Sequence, residues 1–479
     1  MIVGEVRHGQ LVIIDRLRET VRLSEGLTGS GDLTEPAQRR ALDCLSRFGE
    51  RLHDMHASSV RAAGTSTLRR ARDSSGFREQ AERALGHPIE VISGIEEARL
   101  IYIGVINSLP RNEGLRLVLD IGGGSTEIIL GQADRPQTME SLQMGCVAVT
   151  ERYFRGGVID RENFDRARLA ARLMLRPVKA FFRDTTELEA IGTSGTIIAT
   201  ETVARELGII ESNDLTPAAL EQLIDCVLKF DNVAQLSMPG LSERRAQVWP
   251  GGLAILAELL GVLRVANLKI SDGALREGLL YDHLGRLQRE DARDISVRAM
   301  ARRFNVDEAQ AGRVAQTATD LLQQCAGQWQ IDSQLAAQVI DWAARVHEIG
   351  LDISHDGFQR HGAYIVENAD MPGFPRAEQK ILAFLIANQR RQINTMNCEI
   401  LPQAWRIRSI RLALLLRLAV LLNRSRSTQE LPQVRLTVGD DFLALDFPDG
   451  WLEANPLTIA DLDGERLCLE QIGYELLAS

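Results

Sequence analysis

The chain has 479 residues, a length that predicts about three domains at roughly 150 residues each. Hydrophobic residues make up 45% of it and charged residues 25%, and its 39 glycines and 14 prolines are too few for collagen or low-complexity disorder. The formal net charge of −10 argues against a general nucleic-acid binder, because such proteins present basic surfaces. No Gly-Lys pair occurs, which excludes a Walker A loop, since that loop brings a lysine onto the nucleotide phosphates.

The six cysteines are scattered and form no Cys-x-x-Cys pair, so we expect neither a disulfide framework nor a zinc knuckle. The most apolar stretch, residues 412–422, contains Arg417 and is too short to span a bilayer. The first residues lack the pattern of a signal peptide. These features predict a cytoplasmic protein without integral membrane segments, and they leave open an association with the surface of the inner membrane.

Strand and helix patterns alternate through the first part of the chain. Two β-type runs separated by residues 7–10 precede a helix that begins at Thr34-Glu-Pro36. Further elements follow in the order strand (59–65), helix, strand (89–93) and helix (96–107). This alternation is typical of an α/β layer.

A second α/β block covers residues 115–285, so two similar α/β lobes in series predict a cleft between them. From about residue 288 the pattern changes to long helices rich in Ala, Leu, Arg and Gln. The tail from Leu431 alternates apolar and polar residues around 439–441, which predicts a β-hairpin.

The sharpest local signal is the segment Asp120-Ile-Gly-Gly-Gly-Ser-Thr-Glu127. Its glycines allow backbone N–H groups to approach an anion, and Ser125 and Thr126 add hydroxyl donors. Asp120 and Glu127 bracket the loop with carboxylates, which suits a Mg²⁺ held beside a phosphate. The alternative is a glycine-rich hairpin with solvated acids.

Two further loops and two charged positions complete the candidate set. The segments 191–196 and 271–278 each lie between a strand and a helix, where amides can bind an anion, although ordinary connections look the same. The guanidinium of Arg69 could bind a phosphoryl group and stabilise its charge. The carboxylate of Glu96 or Glu97 could take a proton from an attacking water. Taken singly, each of these charges is more typical of a solvated surface than of a site.

Six segments in this order, TLRRA, ISGIEEARLIY, DIGGGSTE, MGCV, GTSGT and SDGALREGLLYD, resemble the exopolyphosphatase and guanosine pentaphosphate phosphatase (Ppx/GppA) family over essentially the whole chain. The helical part resembles that family's HD-like domain at residues 346–374. The segments 153–171 and 236–245 look closer to the exopolyphosphatase branch.

The resemblance implies an α/β actin-like (ribonuclease H-like) two-lobe core, an all-α HD-like domain and a small α+β C-terminal domain. The implied divisions are 1–98 for the first lobe, 99–286 for the second, 287–427 for the HD-like domain and 428–479 for the last domain. The family opens with a strand and a loop of the type Asp-Leu-Gly-Ser-Asn-Ser, and this sequence begins just after that loop should occur. We expect its loss to leave unpaired backbone groups in the first lobe.

The resemblance also assigns roles. Glu97 is the expected base and Arg69 the phosphate clamp, while Glu127 is expected to act in catalysis and, with Asp120, to hold the metal. The expected phosphate-binding residues are Gly122, Gly123, Gly124, Ser125, Thr126, Gly145, Gly192, Ser194 and Gly195. The implied cofactor is Mg²⁺, with a monovalent cation such as K⁺ left open, and the implied assembly is a homodimer.

The leading hypothesis is Mg²⁺-dependent release of terminal orthophosphate from inorganic polyphosphate. The first alternative is hydrolysis of guanosine 5'-triphosphate 3'-diphosphate (pppGpp) to ppGpp, which uses the same terminal-phosphate chemistry. The second alternative is a noncatalytic protein that binds polyphosphate or these nucleotides. No nucleic-acid partner is expected.

The helical part raises two further questions. His347, Glu348, His355 and His361 are metal-ligand types, but we interpret them as polar residues of a helical scaffold. A set of arginines is equally consistent with a track for a long polyanion and with arginines on amphipathic helices: Arg390, Arg391, Arg406, Arg408, Arg411, Arg417 and Arg424.

Overall fold

The computed structural model describes residues 1–7, 10–19, 21–72, 74–110, 112–182, 188–211, 214–287, 291–331, 333–427 and 431–479. The chain forms two compact units, Met1–Glu290 and Asp291–Ser479. The predicted boundary at 98/99 falls inside a helix, Gly94–Asn107, and the predicted boundary at 427/428 adjoins residues outside the described part. The four-domain division stays a prediction.

The first unit contains nine of the described strands and eleven of the described helices. Its strands are β1 (Ile2–Arg7), β2 (Gln10–Arg16), β3 (Ala62–Gly64), β4 (Ile89–Val91), β5 (Leu115–Ile121), β6 (Thr126–Gln132), β7 (Arg135–Leu142), β8 (Leu188–Thr193) and β9 (Leu268–Ile270). Its helices are α1 (Glu35–Leu52), α2 (Ser66–Arg70), α3 (Ser74–Leu85), α4 (Gly94–Asn107), α5 (Cys146–Tyr153), α6 (Arg161–Leu175), α7 (Ser194–Glu206), α8 (Pro217–Val227), α9 (Glu243–Ala246), α10 (Trp249–Leu263) and α11 (Leu275–Leu287).

A five-stranded sheet with the order β7-β6-β5-β8-β9 is the centre of the first unit. The strands β5, β6 and β7 are antiparallel neighbours, whereas β8 is parallel to β5 and β9 is parallel to β8. Both faces are covered, because α4 packs Tyr102 against Val118 on one face and α10 packs Leu253 into the core of the other. Since β5 and β8 are parallel, the loops that follow them meet at one edge of the sheet.

The remaining strands of this unit form two smaller sheets. β1 pairs with β2 in an antiparallel hairpin, and β3 pairs with β4 in parallel. α1 and α3 pack together through Ala41 and Phe77. α4 and α11 approach each other so closely that a Cβ on Gly278 would lie 1.7 Å from the carbonyl oxygen of Leu100. This glycine contact fixes α4, the helix that carries Glu97.

The second unit is mostly helical, as the sequence predicts. Its helices are α12 (Ala292–Arg303), α13 (Glu308–Cys325), α14 (Gln334–Arg345), α15 (Phe358–Asn368), α16 (Arg376–Ala387), α17 (Arg406–Leu422), α18 (Trp451–Ala454) and α19 (Pro456–Glu470). Its strands are β10 (Arg435–Val438), β11 (Phe442–Asp446) and β12 (Glu475–Ala478). β10 and β11 form the predicted hairpin around 439–441, and β12 adds to β11 in parallel.

The arginines of the second unit do not share one environment. Arg417 is 1% exposed and donates to the carboxylate of Glu465 and to the carbonyl oxygens of Asn388 and Arg391. It therefore holds the helices together and is not part of an exposed track. His347 is also buried, and its Nδ1 lies 2.7 Å from the carbonyl oxygen of Ala344. None of the described helices has the length and apolarity needed to cross a membrane.

Candidate active site

The glycine loop between β5 and β6 is built by close backbone contacts. The N–H of Gly122 donates to the carbonyl oxygen of Ser125 at 2.9 Å, and the N–H of Cys146, the first residue of α5, donates to the carbonyl oxygen of Gly122 at 2.9 Å. A Cβ on Gly145 would lie 2.3 Å from the carbonyl of Gly123. Only glycine fits at this position, so Gly145 supports the shape of the loop.

The hydroxyl groups of this loop have internal partners. Thr126 is fully buried and donates its hydroxyl to the carbonyl oxygen of Met144. The Ser125 hydroxyl lies near enough to Glu127 to oppose the rise in the pKa of that carboxyl. The Thr126 hydroxyl and the Gly122 N–H therefore hold the loop in shape, and the backbone amides of Gly123 and Gly124 are the loop donors left for an anion.

The second predicted phosphate loop adjoins the first. The N–H of Ile121 donates to Oγ of Ser194 at 3.3 Å, and Ser194 has a φ of 85°. Gly192 lies within β8, where a Cβ would meet Ile197 at 2.6 Å. Gly192 is therefore required for packing, whereas Ser194 and Gly195 begin α7 and face the edge of the sheet where the two loops meet.

Arg69 and Glu97 form an ion pair next to the glycine loop. Nη1 of Arg69 donates to Oε2 of Glu97 at 2.8 Å and to the carbonyl oxygen of Ile92 at 3.0 Å. Nη2 of Arg69 is buried and has no hydrogen-bond partner among the described residues. α2 approaches the loop directly, since a Cβ on Gly124 would lie 2.9 Å from Oγ of Ser66. The Arg69 guanidinium thus has one nitrogen, Nη2, without a partner among the described residues, and a phosphate oxygen could accept from it.

A buried ionic network holds the helix that carries Glu97. Arg99 donates two hydrogen bonds to the Glu96 carboxylate, at 2.7 and 2.8 Å, and another to Asp282 of α11 at 2.5 Å. Arg61 also pairs with Asp282. Burial opposes ionisation of Asp282, but the surrounding arginines hold its pKa below the usual range. Glu96, which the residue pattern without the resemblance left open beside Glu97 as the base, has both carboxylate oxygens hydrogen bonded within this network.

Three buried carboxyl groups lie close enough to repel one another. Burial raises the pKa of Asp120 to about 7, with a contribution from Glu97. Burial also raises the pKa of Glu127 well above its usual value, with repulsion from Glu97 and Asp120. The pKa of Glu97 is raised by burial against the opposing effect of Arg69. Ser141 donates to Glu127 at 2.8 Å, so the group is oriented as well as buried.

This set of oxygen donors fits Mg²⁺ in type and charge. The described residues contain no ready-made group of three or more His, Cys, Asp or Glu ligands. Mg²⁺ does not require one, because it keeps several waters and commonly takes one or two carboxylates together with phosphate oxygens. A divalent cation would also relieve the repulsion between Asp120 and Glu127.

Several residues at this edge were not foreseen from the sequence. Arg245 in α9 lies against Gly195, where a Cβ would be 2.1 Å from its Nη2, and Arg18 lies 3.4 Å from the same point. Ser141 orients Glu127 from β7. Arg245 belongs to the segment 236–245, which resembles the exopolyphosphatase branch, but nothing in that segment indicates that Arg245 contacts the loop at residues 192–196.

The fold and the edge of the sheet define the class of the protein. An actin-like core, with adjoining glycine-rich loops after the parallel strands β5 and β8, defines a class of α/β proteins that bind phosphate groups at this edge of the sheet. The sheet order, the helical second unit and the small β-containing tail confirm the predicted fold class.

The chain belongs to the Ppx/GppA phosphatase family. The family model matches residues 2–287, and the model of Ppx/GppA phosphatase domain III matches residues 292–466. The predicted family is therefore confirmed, and the chain is a hydrolase of phosphoanhydrides.

Two relatives cover nearly the whole chain. The guanosine-5'-triphosphate,3'-diphosphate pyrophosphatase of Vibrio cholerae is 37% identical over 476 residues, which are 98% of this chain and 94% of the relative. The protein of the same name from Aliivibrio fischeri is 35% identical over 474 residues, with the same coverage.

Two solved structures share the fold. The Ppx/GppA enzyme of Aquifex aeolicus is 26% identical, with a TM-score of 0.50, and the match covers 58% of this chain and 93% of that one. An exopolyphosphatase from Cytophaga hutchinsonii is 23% identical, with a TM-score of 0.54 and coverage of 59% and 93%. At 23% identity, the similarity to the Cytophaga hutchinsonii structure shows a shared fold alone.

Proposed function

We propose that this chain hydrolyses the terminal phosphoanhydride of pppGpp, releasing orthophosphate and ppGpp. The names of the two relatives support this substrate, and they favour it over polyphosphate, our leading hypothesis from the sequence. The structural observation that supports hydrolysis of a terminal phosphoanhydride is the Arg69–Glu97 pair beside the glycine loop.

Each polar group has a task in this reaction. The Glu97 carboxylate accepts a proton from the attacking water as the new P–O bond forms. The bond between the terminal phosphorus and its bridging oxygen then breaks, and ppGpp leaves with the bridging oxygen. The free Nη2 of Arg69 and the amides of the glycine loop bind the equatorial oxygens of the transferring group, where charge must be stabilised.

Asp120 and Glu127 are the residues that would hold Mg²⁺. When bound, this ion would supply positive charge to the phosphate oxygens. Asp120 and Glu127 are opposite residues in the β5–β6 ladder, so both side chains project from the same face of the sheet. The negative charge of Glu97 raises the pKa of both carboxyl groups.

Release of orthophosphate from inorganic polyphosphate is the second candidate function. It breaks the same kind of bond, and the segments 153–171 and 236–245 favour it through their resemblance to the exopolyphosphatase branch. The two functions differ in what lies beyond the terminal phosphate, so the chemistry at Glu97 and Arg69 is common to both.

The test is the ratio of kcat/KM for orthophosphate release from pppGpp and from long-chain polyphosphate, with Mg²⁺ and equal concentrations of chain ends. We expect a ratio above ten in favour of pppGpp. A ratio below one would replace the proposal with exopolyphosphatase activity. Binding of either substrate without phosphate release would instead support the noncatalytic alternative. The Glu97→Gln variant gives the background rate of phosphate release against which all three outcomes are measured.

A further inference from the structure

A buried hydroxyl group next to the glycine loop has no part in the site as described so far. Ser66 is the first residue of α2 and is 7% exposed. Its Oγ has no hydrogen-bond partner among the described residues. Buried hydroxyl groups are nearly always hydrogen bonded, because an unpaired one loses its hydration without compensation. A partner from outside the described residues is therefore expected here.

Ser66 does not serve the helix that it begins. A serine at the start of a helix commonly accepts from a backbone N–H of the first turn, and a serine inside a helix commonly donates to a nearby carbonyl oxygen. The Ser66 hydroxyl makes neither bond, and the N-cap residue Thr65 makes no side-chain hydrogen bond to the first turn either. The local backbone therefore does not account for the choice of serine at this position.

The position of Ser66 relates it to the groups that surround the phosphate. Ser66 and Arg69 are three residues apart on α2, so their side chains are neighbours on one side of that helix. Oγ of Ser66 lies 2.9 Å from the position of a Cβ on Gly124, whose amide is left for an anion. Nη2 of Arg69 lies 3.8 Å from the corresponding point on Gly94, the first residue of α4. Two buried atoms without a partner among the described residues thus adjoin the glycine loop and the start of α4.

We propose that Ser66 donates its hydroxyl hydrogen to a non-bridging oxygen of the phosphate that is cleaved. This inference rests on the proposed function, in which that phosphate lies at Arg69, and it applies equally to pppGpp and to polyphosphate. Ser66 and Arg69 bind the group from α2, while the amides of Gly123 and Gly124 bind it from the loop. The hydroxyl forms no covalent bond, and its contribution is to stabilise the negative charge on the oxygens of the transferring group.

Steady-state rates of Ser66→Ala test this contact. We expect kcat/KM for phosphate release to fall at least tenfold with pppGpp and by a similar factor with long-chain polyphosphate, since a hydrogen bond to a charged group contributes about this much. The matched control is Ser46→Ala, because Ser46 is an exposed serine of α1. A fall of less than threefold on both substrates would overturn the proposal. A fall on one substrate alone would also overturn it, because the contact would then lie beyond the terminal phosphate.

A cysteine at position 66 separates hydrogen bonding from packing. The thiol of Ser66→Cys nearly preserves the shape of the side chain but donates only weakly. If Ser66 acts as a donor, this variant should lose nearly as much activity as Ser66→Ala. Full activity of Ser66→Cys would reduce Ser66 to a space-filling residue and overturn the proposal. Ser66→Ala should not lower Tm, because the hydroxyl makes no hydrogen bond within the described residues whose loss would destabilise the fold.

Binding of orthovanadate, which mimics the transferring phosphoryl group, tests the contact without turnover. In calorimetry on the full chain with Mg²⁺, we expect Ser66→Ala to weaken orthovanadate at least tenfold and Ser46→Ala to leave its affinity unchanged. A wild-type chain that releases no phosphate contradicts the proposed function, while this comparison still tests Ser66. Equal affinities of wild type and Ser66→Ala would overturn the contact and make a buried water the partner of Ser66. A wild-type chain that does not bind orthovanadate would overturn it as well.

Discussion

Asp120 and Glu127 occupy directly opposite positions in the antiparallel ladder of β5 and β6, and both are buried. Opposite residues in such a ladder project from the same face. Glu97 acts on both of them electrostatically. A site with three buried carboxyl groups and one arginine, Arg69, is short of positive charge, so it must take up protons or a cation.

The first prediction concerns stability and pH. Burial raises the pKa of Asp120 to about 7 from an unfolded value of about 3.9, so the folded state binds the extra proton. The stability from this group is therefore present below pH 4 and is lost as the pH rises through 7. Asp120→Asn should raise Tm at pH 8 and have little effect at pH 4, as measured by calorimetry without metal. A lower Tm at pH 8 would contradict this interpretation.

The second prediction concerns Mg²⁺. Without substrate, Mg²⁺ should raise the Tm of wild type at pH 8, because a ligand that binds only the folded state stabilises it. The increase should shrink as the pH falls towards 5, where protons compete for the same carboxylates. A double variant, Asp120→Asn with Glu127→Gln, should show no Mg²⁺ effect at either pH. An unchanged Mg²⁺ response in that variant would place the ion elsewhere.

The third prediction concerns Glu97. Glu97→Gln preserves size and removes the base, so kcat for phosphate release should fall by about 10²–10⁴-fold with a smaller change in KM. The matched control is Glu79→Gln on α3, since Glu79 is exposed. In wild type, the raised pKa of Glu97 predicts that activity falls on acidification at a higher pH than an unperturbed glutamate would give. A kcat within tenfold of wild type would show that another group takes the proton.

The fourth prediction concerns the shape of the glycine loop. Gly145→Ala would place a methyl group 2.3 Å from the carbonyl of Gly123, so we expect a loss of about 1–3 kcal/mol in the free energy of unfolding and a reduced kcat. Gly261→Ala is the control, because Gly261 lies in α10 with nothing within 4 Å of the added Cβ. It should be neutral or stabilise by about 0.5–1 kcal/mol. Denaturant unfolding and steady-state rates measure both variants, and equal effects would contradict the steric argument.

Much of the local structure was predictable from the sequence. Local patterns of apolar residues and turn residues predict the helices α1 and α4 and the hairpin of β10 and β11. The same patterns predict the alternation of strands and helices in the first unit. The strand predicted at 59–65 is shorter in the structure, at Ala62–Gly64, because strand ends depend on pairing with a neighbour.

The candidate site was predictable only in part. Residue type suggested Thr126 and Gly192 as phosphate ligands. In the structure the Thr126 hydroxyl donates to Met144, and a Cβ at Gly192 would collide with Ile197, so both residues also have a role in packing and their phosphate contacts stay predictions. Arg245 was not foreseen, because its contact with Gly195 depends on how α9 and α7 are placed in the fold. A sequence pattern contains no information on such a contact between distant segments.

The sequence by itself determined the α/β alternation, the glycine loops, the helical second unit and the membership of the family, since these follow from local patterns and ordered motifs. Only the tertiary structure decided that Glu96 is bound by Arg99 while Glu97 pairs with Arg69, and that Asp120 ionises near neutral pH. The physical reason is that desolvation and charge repulsion depend on which distant segments exclude water from the same small volume.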